Sequence, residues 1–178
     1  MKIVIASDLH GSAYYTHMVL RAAEREDADV VAILGDVYNH GPRNPLPHDY
    51  APLDVAELLN FVADKLIVVR GNCDSEVDQM ISQFHFVESA VLLEGGKKIY
   101  LTHGHVYNAE HLPALSAGDV LVYGHEHRVY AKVVDGITVL NCGSVSLPKD
   151  DKRCYILIEG GLATVKTLEG EPMMQVKL

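Results

Sequence analysis

Two histidines one residue apart, His125 and His127 in LVYGHEHRVY, follow an apolar run and a glycine. A single imidazole at a strand end needs only a hydrogen bond. Two at i and i+2 on extended backbone point the same way, an arrangement that suits one ion better than one core. Similar residues close four further apolar runs: Asp8 and His10 after KIVIAS, Asp36 after VVAILG, Asn72 after LIVVRG and His103 after KIYLT. In an open α/β sheet, ligands bind in the crevice beyond the carboxyl ends of the strands, so these groups are expected to converge. Each has an ordinary explanation when taken alone. An aspartate after a strand accepts turn N–H groups, Asn72 beside Gly71 reads as a turn dipeptide, and His103 could be a satisfied strand-end histidine. The same polarity at five strand ends is what calls for a shared site.

The set comprises two carboxylates, one amide oxygen and four imidazoles. Nitrogen and oxygen ligands without sulfur suit manganese, iron, zinc, cobalt or nickel, and fit neither a thiolate zinc site nor an all-oxygen calcium site. Seven protein ligands are too many for one transition ion and match two ions that share a carboxylate.

The elements that must position these groups alternate in the first half of the chain. KIVIAS reads as a strand, SAYYTHMVLRAAERE as a helix capped by Ser12, and DVVAILGD as a second strand. PLDVAELLNFVAD is a helix opened by Pro52, KLIVVRGN a third strand and DSEVDQMIS a short helix. Such alternation predicts parallel βαβ units. From about residue 89 the pattern changes to hairpins, with Gly-Gly or Asp-Gly joining apolar runs in SAVLLEGGKKIYL, KVVDGITVL and YILIEGGLATVKTL, and with DVLVYGH as one more buried strand. Two sheets packed face to face with helices outside reconcile both halves. The long irregular stretch 36–52 has the length and proline content of a functional loop or lid.

At 178 residues and 48% hydrophobic, the chain is expected to form a single domain over 1–178. No stretch approaches the roughly 18 apolar residues of a membrane span, and MKIVIASDLHG is too short to be a signal segment, so a cytoplasmic location is expected. A net charge of −9 without a Lys/Arg cluster argues against a nucleic-acid partner, although metal ions could still bring phosphates to an acidic chain. Three cysteines without CxxC spacing make a disulfide framework unexpected, and Cys142 and Cys154 read as small buried residues.

The ordered set Asp8-Leu9-His10, Gly35-Asp36, Gly71-Asn72, His103-Gly104-His105 and Gly124-His125-Glu126-His127 resembles the calcineurin-like metallophosphoesterase superfamily, and within it the small bacterial phosphodiesterases. The likeness runs to about residue 149 and includes LGDVYNHGPRNPLP, VRGNCDSEVDQM and GSVSLPK. It implies a four-layer α/β/β/α sandwich with mixed sheets and two divalent metal ions, manganese first, then nickel, zinc, iron or cobalt. Carried over by position, Asp8, His10 and His127 would hold one metal and Asn72, His103 and His125 the other, with Asp36 between them. The implied reaction is hydrolysis of a small phosphodiester by a hydroxide that the metal pair activates. The implied assembly is a homo-oligomer.

One residue departs from the superfamily pattern. Where G-N-H-[DE] is usual, this chain has Gly71-Asn72-Cys73-Asp74. A thiol, with a reference pKa of about 8.5, donates a proton and a hydrogen bond less well than imidazolium. Diesters and good leaving groups are therefore expected substrates. After Asp36, His40 could replace the missing acid and Arg43 could fork onto a phosphate oxygen; alternatively, Asn39 caps a turn and Arg43 pairs with a local carboxylate. Two other readings stay open here. One is a phosphomonoesterase or protein phosphatase, which would be expected to keep histidine at 73. The other is a non-catalytic scaffold like the retromer subunit of the same superfamily.

Overall fold

Short apolar runs bounded by glycine and aspartate become strands buried on both faces, and this burial sorts the chain into layers. The computed structural model describes residues 1–178. In strand β1 (Lys2–Ala6), Ile3 and Ile5 face one core while Val4 and Ala6 face another, the period-2 alternation of a strand covered on both sides. Helix α1 (Ala13–Arg25) starts where the Ser12 hydroxyl accepts the Tyr15 N–H, and it leads to β2 (Val30–Ile33). Helix α2 (Pro52–Asn60) has no side-chain cap, opens on Pro52 and leads to β3 (Leu66–Val69). Strands β1, β2 and β3 are parallel neighbours, as the alternation predicts. The segment DSEVDQMIS forms a 3₁₀ helix over Glu76–Ile81, whose Ser75 and Asp78 cap one another's backbone.

The remaining strands are β4 (Phe86–Val87), β5 (Ala90–Glu94), β6 (Lys97–Leu101), β7 (Val120–Tyr123), β8 (Val129–Val134), β9 (Ile137–Cys142), β10 (Cys154–Glu159), β11 (Leu162–Thr167) and β12 (Pro172–Lys177). They complete a seven-stranded sheet in the order β12-β11-β10-β1-β2-β3-β4 and a five-stranded sheet in the order β5-β6-β7-β9-β8. Both are mixed. Hairpins form at Gly95–Gly96, Asp135–Gly136 and Gly160–Gly161, all in left-handed backbone. Strands β4 and β12 carry no clear sequence signal: β4 has only two residues, and β12 is an edge strand with an exposed face.

The sheets pack face to face through Ile3, Ile5, Leu34 and Ile156 from one and Ile99, Leu101, Val122 and Leu140 from the other. Helices α1 and α2 cover the outer face of the larger sheet, with Val19, Ala22, Val55 and Leu59 buried there. The outer face of the smaller sheet is covered differently. Ala109, Leu112 and Leu115, from an irregular segment without a helix, pack on Leu121, Tyr123 and Val139. The fourth layer of the expected sandwich is thus coil, because the segment is interrupted by Pro113 and short polar turns.

Ile5 is fully buried between the sheets one residue ahead of the turn that bears Asp8. Ile5→Ala is expected to lower unfolding free energy by about 2–5 kcal/mol, the usual cost of a core cavity, measured by denaturant titration.

Candidate metal centre

Strands β1, β2, β3, β6 and β7 all end at one edge of the sandwich, and the side chains that follow them meet there. The Nε2 atoms of His10 and His127 lie 3.2 Å apart. Asp8 Oδ1 lies 3.1 Å from His127 Nε2 and 3.5 Å from His10 Nε2. His103 Nε2 lies 3.1 Å from Asn72 Oδ1 and 3.2 Å from His125 Nδ1. Asp36 stands between the two groups, with Oδ2 3.7 Å from His10 Nε2 and Oδ1 3.5 Å from His103 Nε2. All seven sequence-identified residues therefore converge, in two sets joined by the oxygens of one carboxylate.

Backbone carbonyls decide which ring nitrogens face inward. His10 Nδ1 contacts the Asn39 carbonyl at 2.8 Å, His103 Nδ1 that of Leu34 at 2.7 Å, and His127 Nδ1 that of Leu147 at 2.7 Å. A carbonyl oxygen only accepts, so each Nδ1 carries the hydrogen and each neutral ring turns a lone pair inward from Nε2. Asp8 Oδ1 is buried and has no hydrogen-bond donor. Lone pairs crowded together without a donor are costly unless a cation or proton lies between them. Three overlapping groups are able to hold a metal: Asp8, His10 and His127; Asp8, Asp36 and His103; and His10, Asp36 and Cys73. Nitrogen and oxygen donors in this arrangement suit divalent transition ions.

The backbone holding these residues is strained. Asp8, His10, Asp36, His125 and His127 all lie in the left-handed region, with φ between 48° and 61°. The histidine doublet is thus not on extended backbone, as its spacing suggests. The strand ends at Tyr123, and two left-handed residues on either side of Glu126 aim the rings. Neighbouring side chains stabilise these turns. The hydroxyls of Ser144 and Ser146 donate to the Asp8 carbonyl at 2.9 and 2.7 Å. The carboxylate of Asp74 accepts N–H bonds from Gly71, Asp36 and Val37 at 2.7 to 2.8 Å, tying the β2 and β3 turns together. Gly124 is required by space, since a Cβ there would lie 2.1 Å from Ser7 Oγ and 2.4 Å from Asp8 Oδ2. The sequence offers these residues only as neighbours of the ligands, within GSVS, GNCD and YGH.

Other expected residues fall in varied places. Cys73 and Arg43 line a cleft of about 940 Å³ that reaches Asp36, Asn72, His125 and His127. His40 does not line that cleft; its ring lies edge-on to Tyr50 at 5.3 Å and its Nδ1 is buried without a partner. Asn39 Oδ1 accepts the Gly41 N–H, capping the turn. His105 is exposed, with its ring 5.4 Å from that of His103. Glu126 accepts hydrogen bonds from the Tyr123 and Tyr130 hydroxyls. A larger groove of about 1140 Å³ runs between α1 and α2 and contains none of the converging ligands.

Without a cation, protons take up the site's charge. Burial pulls the His103 imidazole down, but the Asp36 hydrogen bond and the charges of Asp8 and Asp36 outweigh it and raise it to about 9. His10 is also raised, Asp8 outweighing burial. Burial pushes Asp8 and Asp36 up, yet both lie below their ordinary value, Asp8 held by His10 and His127 and Asp36 by His103. His125 is lowered by burial and by the nearby His103.

A buried cluster of carboxylates and inward lone pairs defines a metalloenzyme site rather than a structural core, and comparison with known proteins identifies its type. The family model described as the calcineurin-like phosphoesterase superfamily domain matches residues 1–160. The chain is 48% identical to the phosphodiesterase YfcE of Escherichia coli K12 over 177 residues, 98% of this chain and 96% of that one. The solved structure of the E. coli phosphoesterase YfcE matches with a TM-score of 0.95 at 46% identity, covering 99% of each chain. Vacuolar protein sorting 29 from Cryptosporidium parvum shares the fold, with a TM-score of 0.64 at 20% identity over 99% of this chain and 98% of that one. This chain belongs to the calcineurin-like phosphoesterase superfamily, and is accordingly a hydrolase that works with divalent metal ions.

Two outcomes follow from this geometry. Asp74→Ala strands three backbone N–H groups and is expected to cost on the order of 3 kcal/mol, read as a lower melting temperature in calorimetry. The folded pKa of His103, about 9, lies above its ordinary 6.5, so its contribution to the metal-free fold is complete below pH 6.5 and lost as pH rises through about 9. Were a divalent ion held by His103 Nε2, it would displace that proton, so affinity would rise with pH up to about 9 and binding at pH 7 would release protons. Titration calorimetry in two buffers of different ionisation enthalpy measures both.

Proposed function

We propose that this chain is a phosphodiesterase acting on small, soluble diesters, with Asp8, His10 and His127 holding one divalent ion, Asn72, His103 and His125 a second, and Asp36 shared by both. The observation that supports this most is the division of the ligands into two sets meeting at the two oxygens of Asp36. Two ions held there would supply Lewis acidity toward phosphoryl oxygens and an activated water. The chain's own residues do the rest. Carbonyls of Leu34, Asn39 and Leu147 fix the imidazole tautomers, Asp74 holds two ligand turns in register, and Arg43 lies on the cleft wall within reach of an anion.

Cys73 supports a diester rather than a monoester preference. Burial, then the charge of Asp36, pushes its thiol up to about 12, so it remains protonated and donates weakly to a departing alkoxide. Leaving groups that depart without strong protonation are favoured. The name of the E. coli relative agrees with this preference. A complete and converged ligand set favours catalysis over a scaffold role.

Manganese is the metal proposed first, in keeping with the family resemblance, and the mixed nitrogen and oxygen donors accept it as they accept zinc, iron, nickel or cobalt. The reading places the protein in the cytoplasm, in keeping with three free cysteines. It also takes a homo-oligomer as the working state, in keeping with exposed Phe61, Val77 and Met80.

Metal-stripped protein is expected to regain hydrolysis of bis(p-nitrophenyl) phosphate on adding Mn²⁺, and to turn over that diester faster than p-nitrophenyl phosphate. Cys73→His should move the ratio toward the monoester. His127→Ala should empty the site shared with Asp8 and His10, and His125→Ala the one shared with Asn72 and His103, each variant keeping about one ion per chain by elemental analysis. A wild type that prefers monoesters would defeat the diester reading, and both variants emptying the same site would defeat the ligand assignment.

A further inference from the structure

The cleft beside the metal ligands carries more positive charge than a simple diester needs. Arg43, Arg128 and Lys149 line it from three separate segments: the loop after β2, the turn between β7 and β8, and the segment after β9. All three are exposed, and none has a carboxylate oxygen within ion-pair distance, although the chain has 24 Asp and Glu against 15 Lys and Arg. In so acidic a chain, unpaired cations gathered at one cleft are a segregated positive field. The two carboxylates that line the same cleft are engaged elsewhere. Asp36 faces the ligand clusters, and Glu126 Oε1 accepts from Tyr123 and Tyr130.

A phosphodiester has one negative charge, and the metal ligand set already accounts for the reacting phosphoryl group. The three cations are therefore free for a second anionic group on the same substrate. Two guanidiniums and one ammonium suit a terminal phosphate, which accepts forked and single N–H bonds together. The rest of the wall limits the other substituents. Only one lining residue is hydrophobic, which leaves no surface for an acyl chain, and no Phe, Tyr or Trp lines the cleft to stack on a base.

Building on the phosphodiesterase reading above, we infer that the substrate is a small polar phosphodiester with a second, terminal phosphate, and that Arg43, Arg128 and Lys149 recognise that phosphate.

A matched pair of substrates tests this: glycerol carrying a p-nitrophenyl phosphodiester at one end, with or without a phosphate at the other. In both, a water oxygen bonds to phosphorus, the P–O bond to p-nitrophenolate breaks, and the water's protons pass to solvent and the product phosphate. The Mn²⁺-loaded wild type is expected to favour the phosphorylated substrate by about tenfold in kcat/KM at low salt, with the advantage shrinking as salt rises. The advantage should fall toward one in Arg128→Ala/Lys149→Ala and further when Arg43→Ala is added. Charge reversal by Lys149→Glu should invert it. A wild-type ratio of one or below, or a ratio that survives the triple substitution, would overturn the inference while leaving the diesterase reading intact. Hydrolysis of neither substrate would overturn both.

Discussion

Lone pairs crowded at one point, which only a cation or a bound proton relieves, are the constraint on which the rest of this structure depends. His10 and His127 face one another at 3.2 Å, each with its Nδ1 hydrogen committed to a carbonyl, beside an Asp8 oxygen that has no donor. Inside a protein such a cluster is stable only when positive charge lies within it. The fold maintains the arrangement from behind. Carbonyls at the ends of neighbouring segments select the tautomers, Ser144 and Ser146 hold the Asp8 carbonyl, and Asp74 gathers three N–H groups from two turns. These supports lie in separate parts of the chain, so the site and the packing of the two sheets are one mechanical unit.

The sandwich contributes the opposition of two sheet edges. Strands β1 to β3 bring Asp8, His10, Asp36 and Asn72 from one sheet, and β6 and β7 bring His103, His125 and His127 from the other. Contacts cross between the sheets at several of these residues: Asn72 Oδ1 lies 3.1 Å and Asp36 Oδ1 3.5 Å from His103 Nε2, and Asp8 Oδ1 lies 3.1 Å from His127 Nε2. Strain accompanies this placement. Five of the seven residues occupy left-handed backbone, a conformation of order 1 kcal/mol or more for residues other than glycine, held here by the burial around it. Where the chain needs closest approach it uses glycine, as at Gly71, whose Cβ would meet Asp36 Oδ1 at 2.2 Å.

Much of this was legible in the sequence because strands and hairpins write local patterns. Apolar runs closed by Gly-Asp or Gly-Asn located β2 and β3 and their ligands, and Gly-Gly and Asp-Gly located three hairpins. Tertiary features were less accessible. The spacing of His125 and His127 suggested a shared direction off extended backbone, yet the rings are aimed by left-handed turns that spacing does not report. Ser144, Ser146 and Asp74 act through contacts with residues far along the chain, and nothing local marks them as supports. Arg128 and Lys149 are exposed cations in unrelated segments, brought to one cleft only by folding. His40 shows the reverse case: it is close in sequence to Asp36, but its ring turns to Tyr50.

The proposed placement of Asp36 between two ions is tested most directly by anomalous diffraction from crystals equilibrated with Mn²⁺. This placement predicts two anomalous peaks at the sandwich edge, one beside Asp8, His10 and His127 and one beside Asn72, His103 and His125, with the Asp36 carboxylate between them. A single peak, or two peaks with Asp36 touching only one, would contradict it.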